Sequence, residues 1–105
     1  MLTQSTHTPS QSSLSVKEAE KFLAASPLWE LKDDAISRVF RFKDFREAIG
    51  FVNRLAAVAN EMDHHPEISI SYNEVRIECS THKVGGLSSL DFTLAERIDR
   101  LVFAS

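Results

Sequence analysis

The chain has 105 residues, of which 43% are hydrophobic and 26% are charged, values typical of one globular domain with its own core. A formal net charge of −3 argues against direct binding of nucleic acid, and no apolar run approaches the ~20 residues needed to span a membrane. The single cysteine, Cys79, cannot form an internal disulfide, which favours a reducing, cytoplasmic location.

The first predicted element is a helix that follows a polar tail. Residues 1–13 are rich in Ser, Thr and Gln and lack the apolar centre of a signal peptide, so we predict a disordered tail before a domain over residues 14–105. Ser15 and Glu18 fit a capping box, which marks the start of a helix. The helix should run through "VKEAEKFLAAS" and end before Pro27.

Two short strands are predicted next. Apolar and charged residues alternate over 29–32, and the apolar side chains of "AISRVFRF" (35–42) recur on one face. Asp33 and Asp34 suit the turn between these segments. Because this turn is short, we expect the two strands to pair antiparallel.

A long amphipathic helix should follow the second strand. Asp44 and Glu47 fit another capping box, and the helix should end near Asp63 because Pro66 prevents its continuation. Apolar residues recur every three or four positions along it. The predicted buried stripe consists of Phe45, Ala48 or Ile49, Val52, Leu55 or Ala56, Ala59 and Met62.

The remaining elements are a strand pair and a last helix. "EISISY" and "EVRIEC" alternate apolar and polar residues around a predicted two-residue turn at Asn73-Glu74. The inward residues should be Ile68, Ile70, Tyr72, Val75, Ile77 and Cys79. After a turn at Gly85-Gly86, a capping box from Ser88 to Asp91 begins a helix. Its apolar stripe is Leu94, Ala95, Ile98, Leu101 and Val102.

The element order is therefore α-β-β-α-β-β-α. Strands with one apolar face are typical of antiparallel sheets, and three amphipathic helices can cover one face of a single sheet. We predict an α+β two-layer domain in which three helices lie on one face of a four-stranded antiparallel sheet. The uncovered face and the sheet edges are candidates for self-association.

Three of the four histidines lie close to the second strand pair, whereas His7 lies in the tail. If Asn73-Glu74 is the turn, His65 lies opposite His82, with β-carbons roughly 5 Å apart. His64 is adjacent at the end of the long helix, where the helix dipole favours a cationic ring. The sequence thus predicts three imidazoles in one cleft. Because histidine titrates near neutral pH, such a group suits acid–base chemistry.

Other chemistries fit the sequence less well. Three histidines can hold zinc, but the adjacent His64 and His65 should diverge, and no common zinc spacing is present. We therefore predict no metal site. No serine or cysteine nucleophile motif appears, and the inward Cys79 reads as a small core residue. Asp91 is explained structurally as a residue of its capping box.

The spaced set His64-His65-Pro66, Tyr72, His82 and Asp91 resembles the signature of the pterin-4a-carbinolamine dehydratases. The similarity extends through "LWELKDDAISRVFRFKDFREAIGFVNRLA" and "STHKVGGLSSLDFTLAERID", and covers roughly residues 14–103. It implies the same fold and a homodimer or a dimer of dimers. It also implies loss of water from a 4a-hydroxytetrahydropterin to give quinonoid dihydropterin, without a metal or cofactor. This reaction recycles the pterin used by aromatic amino acid hydroxylases.

The resemblance also implies residue roles. His64 and His82 are the acid and base in an order left open, and His65 binds or orients the pterin. The catalytic set is His64, His82 and His65, and the substrate-binding set is His65, Pro66, Asp63, Asn60 and Asp91. Asp91 holds His82 or lines the cleft.

One position departs from the family pattern. The family often has an acidic residue where Asn60 stands, and Glu61 should point about 100° away around the helix. We therefore expect weaker pterin binding or a shifted pH profile. Two alternative functions remain: a dimerisation or assembly partner (a transcriptional coactivator or an enzyme-assembly factor), and a molybdopterin-related role.

Overall fold

The computed structural model describes residues 16–103, so the predicted tail and the Ser15 cap lie outside the described residues. The helices are α1 (Val16–Ala25), α2 (Phe45–Met62) and α3 (Ser89–Phe103). The strands are β1 (Glu30–Lys32), β2 (Ala35–Arg41), β3 (Glu67–Ser71) and β4 (Glu74–Cys79), and a short 3-10 turn (His82–Val84) precedes α3. The strands form one antiparallel sheet in the order β1-β2-β4-β3. The predicted α+β fold and its element order are confirmed.

Both ends of α2 are fixed by local hydrogen bonds. The Asp44 side chain accepts from the Glu47 N–H (2.9 Å), and the Glu47 carboxylate accepts from the Lys43 N–H (3.3 Å), so the predicted cap is present. At the other end Asp63 adopts a left-handed conformation (φ 51°), and the His64 N–H donates back to the Ala59 carbonyl (3.1 Å). The helix therefore ends where the sequence predicts, with the next two residues folded back beside its last turn.

The core lies between the sheet and the helices. The predicted stripe of α3 is buried at Leu94, Ala95 and Ile98, and Cys79 is buried as expected. The predicted stripe of α2 is partly wrong, because Phe45 is half-exposed and Phe51, absent from the prediction, is fully buried. Phe45 lies in the first turn, about 60° around the helix from Ala48, and so points past the core. The buried residues of α2 are Ala48, Phe51, Leu55 and Ala59.

The β3–β4 hairpin turns one residue earlier than predicted. Its two turn residues are Tyr72 and Asn73, so Ile70 pairs with Val75. Asn73 is bound to the end of β2, where its side-chain amide donates to the Phe42 carbonyl (2.8 Å) and its carbonyl accepts from the Phe42 N–H (2.9 Å). These contacts hold the turn in place. Tyr72 takes a left-handed conformation (φ 52°) and is exposed, contrary to the prediction that it faces inward.

The edge strand β3 carries apolar side chains that are exposed among the described residues. Ile68 and Ile70 pair with the buried Ile77 and Val75, so they point to the helical side of the sheet. Both are nonetheless exposed, because β3 is the last strand of the sheet, at its edge. None of the helices within residues 16–103 is long and apolar enough to cross a membrane.

Candidate active site

The three clustered histidines line one cleft of about 330 Å³. Two segments supply most of the lining: residues 63–65, the connection from α2 to β3, and residues 80–83, which follow β4. The lining residues are Asp63, His64, His65, Ser80, Thr81, His82, Lys83 and Leu90. The cleft is thus built mainly from the two segments that follow the end of α2 and the end of β4.

His82 reaches the cleft by a route that differs from the prediction. The observed register pairs Glu67 with Glu78, so the strands do not place His65 directly opposite His82. Instead the chain leaves β4 and forms a small loop, in which Thr81 and Gly86 exchange backbone hydrogen bonds of 2.7 and 3.4 Å. Gly85 closes the 3-10 turn in a left-handed conformation (φ 68°) that glycine adopts without strain. This loop presents the exposed His82 ring at the cleft.

Asp91 lies behind the cleft and is fully buried. One carboxylate oxygen lies 2.7 Å from His64 Nε2, and the other accepts from the Thr81 hydroxyl (2.7 Å) and the Ser88 N–H (2.9 Å). The Thr81 and Ser88 hydroxyls are themselves 2.7 Å apart. A buried carboxylate is costly unless hydrogen bonds compensate its lost hydration, and here three groups do so.

The contacts of Asp91 correct one expectation. Asp91 holds His64, not His82, because the first turn of α3 packs beneath the end of α2. The His64 side chain is only 11% exposed. Because a carboxylate only accepts, Nε2 of His64 carries the hydrogen, and Nδ1 is the nitrogen left for a ligand.

The second adjacent histidine is held by a different partner. His65 Nε2 lies 2.9 Å from the amide oxygen of Asn60, in the last turn of α2. Asp63, also exposed, lines the cleft, whereas Pro66 is half-buried and follows the two histidines into β3. Tyr72 stands at the opposite end of β3 from the histidines and is not among the lining residues.

Several residues of the site were not singled out from the sequence. Thr81 and Ser88 support Asp91, and Ser80, Lys83 and Leu90 line the cleft. The sequence offers two weak signals: Thr81 is adjacent to His82, and Ser88 is a predicted helix cap. Neither signal shows that both residues bind Asp91. Within residues 16–103, no group of three His, Cys, Asp or Glu side chains is arranged to hold a metal ion.

Fold and cleft together define a class of protein: a small α+β domain that gathers three imidazoles and a buried carboxylate beside one end of its sheet. The family model of the pterin 4 alpha carbinolamine dehydratases matches residues 12–101. The chain therefore belongs to this family.

Individual relatives agree with this assignment. A Rhodospirillum rubrum protein named "Putative pterin-4-alpha-carbinolamine dehydratase" is 51% identical over 85 residues, which cover 79% of this chain and 88% of that protein. The crystal structure of a "transcriptional coactivator/pterin dehydratase" from Brucella melitensis superposes with a TM-score of 0.80 at 37% identity, covering 84% of this chain and 96% of that one. A pterin dehydratase-like protein described as a RuBisCO assembly factor in the alpha-carboxysome shares the fold, with a TM-score of 0.58 at 24% identity over 70% of this chain and 84% of that one.

Proposed function

We propose that this chain removes water from a 4a-hydroxytetrahydropterin to give quinonoid dihydropterin, in pterin recycling. The observation that carries the proposal is the cleft in which His64, His65 and His82 meet, with a buried carboxylate behind the first of them. Membership of the pterin carbinolamine dehydratase family supports the substrate class.

The chemistry requires two proton transfers. Hydroxide is a poor leaving group near neutral pH, so an acid protonates the 4a-oxygen while the carbon–oxygen bond breaks and its electron pair leaves with water. A base then takes a proton from a ring nitrogen, which completes the quinonoid product. Each transfer of this kind contributes about 10²–10⁴-fold in rate, and orientation of the substrate in the cleft adds to it.

We assign the two transfers to His64 and His82, which both line the cleft but come from different segments of the chain. His64 offers Nδ1 to the substrate while Asp91 holds Nε2–H and stabilises the imidazolium form. Asp91 is therefore a positioning residue. His82 is exposed, and its ring has no hydrogen-bond partner among the described residues, so both of its nitrogens are available.

The remaining residues of the cleft orient the pterin. The ring carries N–H donors on its aminopyrimidine edge, for which the Asp63 carboxylate and the free nitrogen of His65 are suitable acceptors. Asn60 acts on His65, and Pro66 fixes the backbone that follows the two rings.

The proposal is tested by following the decay of a 4a-hydroxytetrahydropterin in a stopped-flow assay. His82→Ala is expected to slow the enzymatic rate about 10²–10⁴-fold, because it removes one of the two proton-transfer groups. His64→Ala should do the same. His7→Ala, the same substitution outside the residues matched by the family model, should retain the wild-type rate.

The His82 variant is the easier of the two to interpret, because His82 is exposed and its loss should not disturb the fold, whereas His64 contacts a buried carboxylate. Circular dichroism should give His82→Ala the thermal unfolding curve of the wild type. A rate for His82→Ala equal to that of the wild type would refute the dehydratase proposal.

We also propose a cytoplasmic homodimer, which could pair again into a dimer of dimers. The exposed Ile68 and Ile70 on the edge strand β3 support self-association, because open sheet edges with apolar side chains are normally covered. The buried, unpaired thiol of Cys79 fits a reducing compartment. Sedimentation equilibrium of the full chain measures the oligomeric state, and a monomer at all concentrations would exclude the dimer.

A role as an assembly or coactivator partner is the second candidate. It is favoured by the description of the Brucella melitensis relative, which names both activities. Such a role would use surfaces outside the cleft, so it would survive His82→Ala, whereas dehydration would not.

A further inference from the structure

The contact between Asn60 and His65 follows from the way α2 ends. The left-handed residue Asp63 and the hydrogen bond from His64 N–H to the Ala59 carbonyl reverse the chain. His65 is thereby returned to the last turn of the helix, where its Nε2 meets the Asn60 amide oxygen at 2.9 Å. The ring is therefore held at one nitrogen by the helix that precedes it.

The amide oxygen of Asn60 determines which nitrogen of the His65 ring carries the hydrogen. An amide oxygen accepts hydrogen bonds and cannot donate, so Nε2 of His65 carries the hydrogen. A neutral imidazole has only one N–H, which leaves Nδ1 as an acceptor. A carboxylate at position 60 would favour the imidazolium, in which both nitrogens are donors and no acceptor remains.

No neighbouring residue of α2 supplies such a carboxylate. Glu61, the next residue, forms an ion pair with Arg97 of α3, so it is turned away from His65. The charged or titratable groups that share the cleft with His65 are Asp63, His64, His82 and Lys83. Among the described residues, no Asp or Glu side chain forms an ion pair with the His65 ring. The neutral amide is thus the group that defines which nitrogen of His65 is protonated.

We propose that Asn60 is a positioning residue that holds the single hydrogen of the neutral His65 ring on Nε2, so that Nδ1 accepts a hydrogen bond from an N–H of the pterin ring. The two adjacent histidines then have different tasks. His64 is backed by the charged Asp91 and transfers protons, whereas His65 is backed by a neutral amide and recognises substrate. The part of this proposal that concerns the pterin rests on the proposed function.

The ring state is tested without any activity measurement. Long-range ¹H–¹⁵N spectra of the full, ¹⁵N-labelled chain at pH 8 should show His65 with a protonated Nε2 and an unprotonated Nδ1. Asn60→Asp should retain the imidazolium of His65 to higher pH than the wild type, whereas Glu61→Gln, the adjacent control, should leave the His65 signals unchanged. A hydrogen on Nδ1 in the wild-type chain would overturn the proposal.

The role in binding is tested with a double-mutant cycle on the dehydration assay. Asn60→Ala should raise KM about three- to tenfold, the effect of one weakened hydrogen bond, and leave kcat within twofold. In a His65→Ala background the same substitution should have no further effect, because Asn60 acts through His65. An undiminished effect in that background would show that Asn60 contacts the pterin itself and would refute the positioning role. If the chain has no dehydratase activity, the spectra still decide the ring state.

Discussion

Two aspartates on α3 have opposite environments, although they lie only about two turns apart. Asp99 is partly exposed (21% of its side chain) and binds Arg38 at 2.6 Å, while both its oxygens accept from the Trp29 indole N–H at 3.0 Å. Asp91 is fully buried, and its partners are a hydroxyl, a backbone N–H and the His64 ring. Asp99 has a permanent cation beside it, whereas Asp91 has only a ring that can gain or lose a proton.

The contact between Asp99 and Arg38 is structural, whereas Asp91 contacts a ring to which we assign a proton transfer. Arginine stays charged at any ordinary pH, and the Arg38 guanidinium also lies 4.2 Å from the centre of the Phe40 ring, so its position is fixed twice. That cluster joins the chain before β1, the middle of β2 and α3. By contrast, Asp91 contacts His64, so in the proposed mechanism a change in the protonation of that ring would change the charge beside Asp91.

The largest effect on activity is expected from Asp91→Asn. The amide oxygen of the new residue can still accept from Thr81 or Ser88, but its NH₂ group would face His64 and force Nε2 to become an acceptor. The hydrogen of His64 would move to Nδ1, where the proposed mechanism requires a lone pair. We expect the dehydration rate to fall about 10²–10⁴-fold, measured by stopped flow on protein shown to be folded. A rate within twofold of the wild type would remove Asp91 from the mechanism.

Asp99→Asn should instead lower the stability of the protein and leave its activity unchanged. It leaves the half-buried Arg38 without a counter-charge and weakens the bond from Trp29, so we expect a loss of about 1–3 kcal/mol in the free energy of unfolding. Urea denaturation measures this loss. The dehydration rate of the folded protein should not change, because Asp99 is not among the residues that line the cleft. A loss of activity as large as that of Asp91→Asn would show that the two aspartates are not functionally distinct.

The smallest expected effect is a loss of stability at high pH that is caused by Cys79. Burial first, and then the charges of Asp91 and Asp99, raise the pKa of the Cys79 thiol far above its ordinary value. The thiol of the unfolded chain ionises near pH 8.5 while the folded chain keeps its proton, so this group lowers stability only as the pH rises above that value. The decline should approach about 1.4 kcal/mol per pH unit.

Comparison with Cys79→Ala isolates this contribution, since alanine does not titrate. The free energy of unfolding of the wild type should be parallel to that of the variant from pH 6 to 8 and fall more steeply from pH 8.5 to 10. Parallel curves over the whole range would contradict a buried, proton-retaining thiol.

The sequence by itself determined the order and type of the elements. Capping residues such as Asp44 and Glu47 act within one turn of helix, and periods of two or 3.6 residues show which face is apolar, so these signals need no tertiary information. For the same reason the end of α2 at Asp63, the buried Cys79 and the stripe of α3 were predictable. The gathering of three histidines was also expected, but from a hairpin register that proved to be wrong.

Only the tertiary structure decided how the site is connected. The hairpin turn lies at Tyr72-Asn73 because Asn73 binds the end of β2, 31 positions earlier in the chain. Asp91 holds His64 across 27 positions, and neither residue type nor spacing distinguishes His64 from His82 as its partner. Contacts of this kind depend on where whole elements pack, whereas caps and periodicity are local. The sequence therefore determined which groups are present, and packing decided which partners hold His64 and His65.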